Sequence, residues 1–428
     1  MGSPEPPELF DTAASERGTS AGRWRTALRG VGPELISAAS DNDPTNVGTA
    51  ALVGAQTGYR LSWVALLVAP LLGVVQAIAA QLGAVTRSDL QSVTVQRYGR
   101  RVAVLLLVTV VVVNVVTIAA DLQAGAAGLG LLVGVDQRWL VVPFGLAVGT
   151  LLVLGRYGQV VGVVRYLLVG FLAFGLAALL AHPHWPSLLR GSLVPSLSLH
   201  GEELSGALAL VGTTLTAYVY MWETVARGVE ERVLPPGGLR RIKAGAVVGA
   251  GFTALVLWFM VVASAATLGR TRQPVTSAAD AARALRPLAG SAAADLFALG
   301  LVASALVALP ILLATTAYVV GAHFGWRRGL SEGIGAAPGF YAAIAVSLGL
   351  ALAVTLAHLS VITMLVVASV AGGLGTPLGL VLLVLLARDV STMGSGRISR
   401  RLAAAGWAVA SVIGGLGILF VGALTGWF

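Results

Sequence analysis

The chain contains no cysteine, and only 11% of its 428 residues are charged. The first absence excludes disulfides and thiolate metal ligands, without identifying a redox compartment. The second excludes a soluble fold, because 57% of the residues are hydrophobic and the mean hydropathy is +0.86, more apolar surface than a water-facing exterior tolerates. Soft and imidazole ligands are scarce as well. Methionine stands only at positions 1, 221, 260, 364 and 393, and histidine only at 182, 184, 200, 323 and 358, each histidine near the end of an apolar run. That pattern implies interfacial histidines and excludes a paired-histidine metal motif. With no glycine-flanked nucleophilic serine and partner histidine in the core either, the chain reads as no enzyme, with no resident cofactor.

What is present is a series of apolar runs of about 20 residues or more, each long enough to cross a hydrocarbon core. Eleven spans are expected, at 32–58, 61–85, 102–132, 138–155, 158–181, 205–233, 242–267, 292–322, 338–358, 361–387 and 403–427. The fold class is an all-α polytopic membrane protein. Residues 1–30 lack the apolar core of a signal peptide and read as a disordered tail. Residues 182–204 form an external loop, 389–428 a cytoplasmic loop and the eleventh helix, and Ser277–Leu285 a short amphipathic lid or interfacial helix. With the N-terminus inside, 21 lysines and arginines collect on that side against 7 on the other, so the tail is cytoplasmic and the C-terminus external. The same asymmetry accounts for the net charge of +9. Anionic membrane lipid is the counter-charge, and no nucleic-acid partner is needed.

The first span carries the most telling residues, Ser40-Asp41-Asn42-Asp43-Pro44-Thr45-Asn46. A charge inside the bilayer costs at least a few kcal/mol unless it faces a cavity, an ion or a partner. Proline removes a backbone donor, so the helix should unwind here and turn oxygens inward. Asp43 leads as a metal ligand because no arginine lies in the apolar parts of the first and sixth spans. Asn46 follows, with helix capping as its alternative role. Asp41 adds negative potential at the entrance, or breaks and caps the helix. Ser40 offers an oxygen, or simply packs. Five spans later comes Gly212-Thr213-Thr214-Leu215-Thr216-Ala217-Tyr218, a stretch that tolerates unwinding, although glycine and threonine more often serve close packing between membrane helices. Two such breaks five spans apart suggest inverted repeats over 31–181 and 205–388, with the eleventh span an addition. Glu223, Glu230 and Glu231 are expected at a solvated cytoplasmic end beside Arg227 and Arg232.

These residues resemble the first and sixth helices of the natural resistance-associated macrophage protein (NRAMP) family of divalent-metal transporters. In that family an Asp-Pro-Gly-Asn motif interrupts the first helix, and here it stands as Asp43-Pro44-Thr45-Asn46. Further matches are Ala79-Ala80-Gln81-Leu82-Gly83 and Ala120-Asp121-Leu122. The resemblance covers essentially the whole membrane region. It implies an inverted 5+5 repeat of LeuT type plus one helix, with helices 1 and 6 broken at the midplane. It also implies alternating access, a bacterial plasma membrane location and a divalent cation as substrate. A monomer suffices, and the oligomeric state is left open.

The departures from the family pattern set the finer expectations. Metal-transporting members carry Met-Pro-His in the sixth helix, where this chain aligns Thr216-Ala217-Tyr218. The resemblance therefore implies Asp43, Asn46, Ser40, Thr216 and Ala217 as the metal set, with Asp41, Thr213, Tyr218, Gly375 and Asp121 as accessories. A site without thioether suits hard ions such as Mg²⁺, and small residues around Gly375 enlarge the pocket. Gly212-Thr213-Thr214 followed by Tyr218 and Trp222 is similar to the divergent NRAMP-related magnesium transporters, so Mg²⁺ is the expected substrate, with Mn²⁺ also possible. Asn114, Ala124 and Tyr218 replace groups of the proton route, which isolates Asp121 and implies uncoupled transport; Asp121 is instead expected to pair with a cytoplasmic-side arginine. The alternatives are a proton-coupled Mn²⁺ or Fe²⁺ importer and, less favoured, an amino-acid or organic-cation transporter of the same fold.

Overall fold

The structure is a computed structural model that describes residues 41–154, 171–198, 202–230, 238–271, 291–356 and 360–425. The tail, Ser40, the amphipathic segment 277–285, His200, His358, Glu231 and Arg232 lie outside the described residues. Pro44–Thr57 forms α1, Ser62–Thr86 α2, Leu90–Val133 α3, Gln137–Leu154 α4, Leu172–Leu180 α5 and Trp185–Leu193 α6. Glu202–Thr214 forms α7 and Ala217–Val225 α8, which runs into a π-helical turn over Ala226–Glu230. Gly238–Thr271 is α9, Ser291–Phe324 α10, Pro338–Thr355 α11, Val361–Arg388 α12 and Arg400–Leu424 α13.

Among the described residues, nine segments are long and apolar enough to cross a membrane, counting Glu203–Glu230 as one. They coincide with the expected second to fourth and sixth to eleventh spans. The first and fifth spans are described only from residues 41 and 171. The third begins earlier than hydropathy suggests. Asp89 caps α3 by accepting from the Ser92 amide at 2.8 Å, and a short arm runs to Gly99, where φ of 77° and ψ of 170° kink the chain before the apolar part. Only glycine adopts that conformation without strain.

Caps define the other ends. Ser360 and Ser399 accept from backbone amides at the starts of α12 and α13, and Gly134 closes α3 in the left-handed conformation, as orphan amides and carbonyls at helix ends require. Inside the bundle, hydroxyls of Thr117, Thr315, Thr316 and Ser369 bond carbonyls one turn back, which satisfies these four hydroxyl protons without a partner on another helix. Helix α3 packs along α10 and α12, and α2 along α9. Helix α1 lies among α9, α7 and α12.

The arginine-rich end departs from the expectation of solvated side chains. Glu223 and Arg227 form an ion pair at 3.2 Å with side chains only 3% and 4% exposed. His323, expected at the interface, is buried against Gln91. Both are covered because the α2–α3 junction folds over this end: the Gly83 Cα lies against Thr224, Gly228 lies on the Ser88 backbone, and the Leu90 amide donates to Thr224 Oγ1 at 3.0 Å. Arg328 closes the junction through Asp89 at 2.8 Å. Beyond α12, Ser391, Thr392 and Arg97 hold the Asp389 carboxyl well below the usual carboxylate range, which keeps that anchor charged at cellular pH.

Candidate metal site

A non-helical segment at the start of α1 and an interruption in the sixth span meet in the core. Residues 41–43 are not helical, and α1 starts at Pro44, which suits the first helical position because its missing N–H is an orphan there anyway. Asp43 is the cap. Its Oδ1 accepts from the Asn46 amide at 2.6 Å, and its Oδ2 accepts from the Tyr218 hydroxyl at 3.1 Å. Opposite, α7 ends at Thr214 and α8 begins at Ala217, leaving Leu215 and Thr216 between them. Tyr218 lies in the first turn of α8, so one hydrogen bond links the two segments.

Asn46 fastens them a second time. Its Nδ2 donates to the Asp41 carbonyl at 2.7 Å, and its Oδ1 accepts from Thr214 Oγ1 at 3.0 Å. Asn46 thus staples α1 to α7 and to the non-helical turn before it, while its Oδ1 keeps a second lone pair. Helix α12 braces the far side: Thr376 Oγ1 donates to the Leu215 carbonyl at 2.7 Å, and Ser369 shares a 2.7 Å hydrogen bond with Thr49. Ser304 of α10 donates to the Asn42 carbonyl. Backbone groups that unwinding exposes are taken up by side chains from neighbouring helices, the condition for irregular backbone at membrane depth.

Several site expectations need correction. Asp41 is not at an entrance: it is 1% exposed, and its Oδ2 accepts from Gln76 Nε2 of α2 at 2.7 Å. Asp121 pairs with no described arginine and is not isolated. Its Oδ1 accepts from both the amide and the hydroxyl of Thr45, at 3.0 and 2.7 Å, so it touches the α1 break directly. Gly375 does not border the break; a Cβ there would meet Val113 and Thr109 of α3. On α12, Gly372 and Thr376 border it instead: a Cβ on Gly372 would lie 2.6 Å from the Thr216 methyl, and Thr376 bonds the Leu215 carbonyl.

Thr213, Thr216, Ala217 and Tyr218 are all buried at the sixth-span interruption. The hydroxyls of Thr213 and Thr216 have no hydrogen-bond partner among the described residues, nor do Asp41 Oδ1 and Asp121 Oδ2. Among the described residues no three histidine, aspartate or glutamate side chains are grouped closely enough to hold an ion alone. A cation here would take one or two carboxylates, hydroxyl and carbonyl oxygens, and its own waters, as hard divalent ions do. Sequence reading missed Gln76, Ser304, Ser369 and Thr376. The signal for Gln76 was available, since it is one of two amide side chains, with Gln81, inside the apolar run 61–85, and a buried amide requires partners.

A family model described as natural resistance-associated macrophage protein-like matches residues 34–423. The chain belongs to this NRAMP-like family. The divalent metal cation transporter MntH of Aeromonas hydrophila is 28% identical over 396 residues, covering 90% of this chain and 93% of that protein. A crystal structure of the Eremococcus coleocola manganese transporter, in complex with an aromatic bis-isothiourea substituted compound, superposes with a TM-score of 0.72 at 19% identity, covering 96% of this chain and 89% of that one. The nucleobase-cation-symport-1 family transporter Mhp1, closed around bromovinylhydantoin, superposes at 0.56 with 14% identity, covering 91% and 92%. The NRAMP-like chain is thus an all-α integral membrane protein with inverted-repeat packing of LeuT type. Membership of this transporter family agrees with reading it as no enzyme.

Proposed function

We propose that this NRAMP-like chain is a secondary transporter that moves a divalent metal cation across a bacterial plasma membrane by alternating access. The observation that carries the reading is Asp43, 0% exposed where the start of α1 meets the sixth-span interruption, with no basic partner among the described residues. An uncompensated carboxylate at that depth needs a cation. An inside-negative potential favours entry of a doubly charged ion by about 4.6 kcal/mol per 100 mV.

Manganese is the better-supported substrate. The relatives are named for divalent metal cations and for manganese, which favours the Mn²⁺ alternative over the Mg²⁺ expectation. Magnesium is kept as a second reading for one reason: Thr216 and Ala217 supply no sulfur at the sixth-span interruption, and an all-oxygen set does not discriminate against hard ions. Proton coupling also regains ground. The uncoupled expectation rests on Asn114, Ala124 and Tyr218 in place of relay groups, leaving Asp121 isolated, whereas Asp121 bonds Thr45 at the start of α1, where a change in its protonation would be felt by the site. The positive-inside bias supports a cytoplasmic N-terminus and an external C-terminus.

Proteoliposomes test all of this together. Under an inside-negative potential, wild-type protein should take up Mn²⁺, with Mg²⁺ and Ca²⁺ as competitors and an internal pH dye reporting protons. Asp43→Asn should abolish uptake while the protein still purifies folded. Wild-type uptake by Asp43→Asn would remove the proposed site. Acidification that follows the metal and vanishes in Asp121→Asn would establish coupling, and its absence would restore the uncoupled mechanism.

A further inference from the structure

The proposed site has one carboxylate more than the reading above uses. Asp41 stands two residues before Asp43 on the non-helical turn. On a helix, side chains two apart point away from each other, but residues 41–43 are not helical. The Asp41 carboxylate is pinned at one oxygen only, by Gln76 Nε2 at 2.7 Å. Gln76 comes from α2, which packs against α8, the helix that brings Tyr218 to Asp43. The two carboxylates are therefore held from one side by adjacent helices.

Asp41 Oδ1 is buried and has no hydrogen-bond partner. Leaving a charged acceptor unmet in a protein interior costs more than a neutral group's loss of about 1–3 kcal/mol. No ion pair among the described residues joins an arginine or lysine to Asp41, Asp43 or Asp121. The Thr213 and Thr216 hydroxyls, at or beside the sixth-span interruption, are unpartnered as well, so both halves of the fold carry buried oxygens without hydrogen-bond partners.

We propose that Asp41 is a second anionic ligand of the transported cation, and that Gln76 is the positioning residue that aims its carboxylate. The assignment rests on the reading of Asp43 as the metal site. Two carboxylates balance the charge of one divalent cation, so the pair favours divalent over monovalent ions. Both donors are hard oxygen, so the pair does not choose between Mg²⁺ and Mn²⁺. Gln76 does this through an amide, which fixes the carboxylate without cancelling its charge. An arginine in its place would satisfy Asp41 and remove it from the ion.

Titration calorimetry with MnCl₂ and with MgCl₂ on the purified full chain, beside transport in proteoliposomes, tests this. Asp41→Asn keeps the shape, the backbone carbonyl that Asn46 uses and an acceptor for Gln76, and removes only the charge. It should raise Kd for both ions by at least about tenfold, with their ratio unchanged, and raise KM more than it lowers the maximal rate. Gln76→Leu should raise Kd by about tenfold, the scale of a lost partner behind a metal ligand. The double variant Asp41→Asn/Gln76→Leu should bind no more weakly than Asp41→Asn alone, because Gln76 acts through Asp41. Wild-type Kd in Asp41→Asn, while Asp43→Asn loses binding, overturns this assignment and leaves the transport reading intact. Wild-type Kd in Asp43→Asn overturns the transport site itself. Should Asp41→Asn fail to fold, Gln76→Leu decides: unchanged Kd overturns the proposal.

Discussion

Glu223→Gln is the perturbation whose outcome depends most on tertiary structure. Read as a solvated helix end, the Glu223–Arg227 pair would contribute about 0.2–1 kcal/mol, and its removal would pass unnoticed. The structure buries both side chains, at 3% and 4% exposure, with Nε and Oε1 3.2 Å apart. Removing the Glu223 charge takes a buried counter-charge away from Arg227, a loss on the scale of about 3–5 kcal/mol. In Glu223→Gln the Arg227 side chain, 4% exposed, stays buried beneath the α2–α3 junction. For a chain of this size the thermal midpoint should fall by about 5 °C. Thermal unfolding in detergent, followed by tryptophan fluorescence, reads this directly because Trp222 is the neighbouring residue. The double variant Glu223→Gln/Arg227→Met removes both charges and should recover most of the midpoint, since buried pairs replaced whole are often neutral. A single variant that melts within about 1 °C of wild type, or a double variant worse than the single, would refute the buried-pair account.

Two further outcomes follow from the site. Thr216→Met should shift preference from Mg²⁺ toward Mn²⁺ or Cd²⁺ by placing a thioether beside the carboxylates; an unchanged competition ratio would mean that position 216 does not face the ion. Gly212→Ala should destabilise the protein by about 1–3 kcal/mol, because its Cβ would lie 2.8 Å from both the Gly373 Cα and the Ser369 carbonyl, backbone atoms that cannot rotate aside. Wild-type melting of Gly212→Ala would show that α7 and α12 are not so closely packed.

Fold class and the position of the first interruption are local properties, and sequence determined them. Apolar runs of bilayer length specify spanning helices, since no other element but a closed barrel satisfies its backbone in lipid. An aspartate and a proline inside such a run specify a break because both costs fall on residues next to each other in the chain. The stretch Gly212–Tyr218 was legible for the same reason. The hydrogen bond between Asp43 and Tyr218 was not legible.

What only the tertiary structure decided is which face of each helix meets which neighbour. Gly375 and Gly372 are three residues apart on α12, less than one turn, yet one meets α3 and the other Thr216. Helix crossing geometry makes that choice, and it does not appear in a hydropathy pattern. Asp121 turns to Thr45, 76 residues away, instead of to an arginine. Gln76 reaches Asp41 across 35 residues. Glu223 and His323 sit near span ends, which sequence alone reads as wet, and are buried because a separate part of the chain folds over them. In lipid the hydrophobic effect does not distinguish one helix face from another, so pairing is decided by close packing and by hydrogen bonds between residues distant in sequence, and these exist only once the helices are assembled.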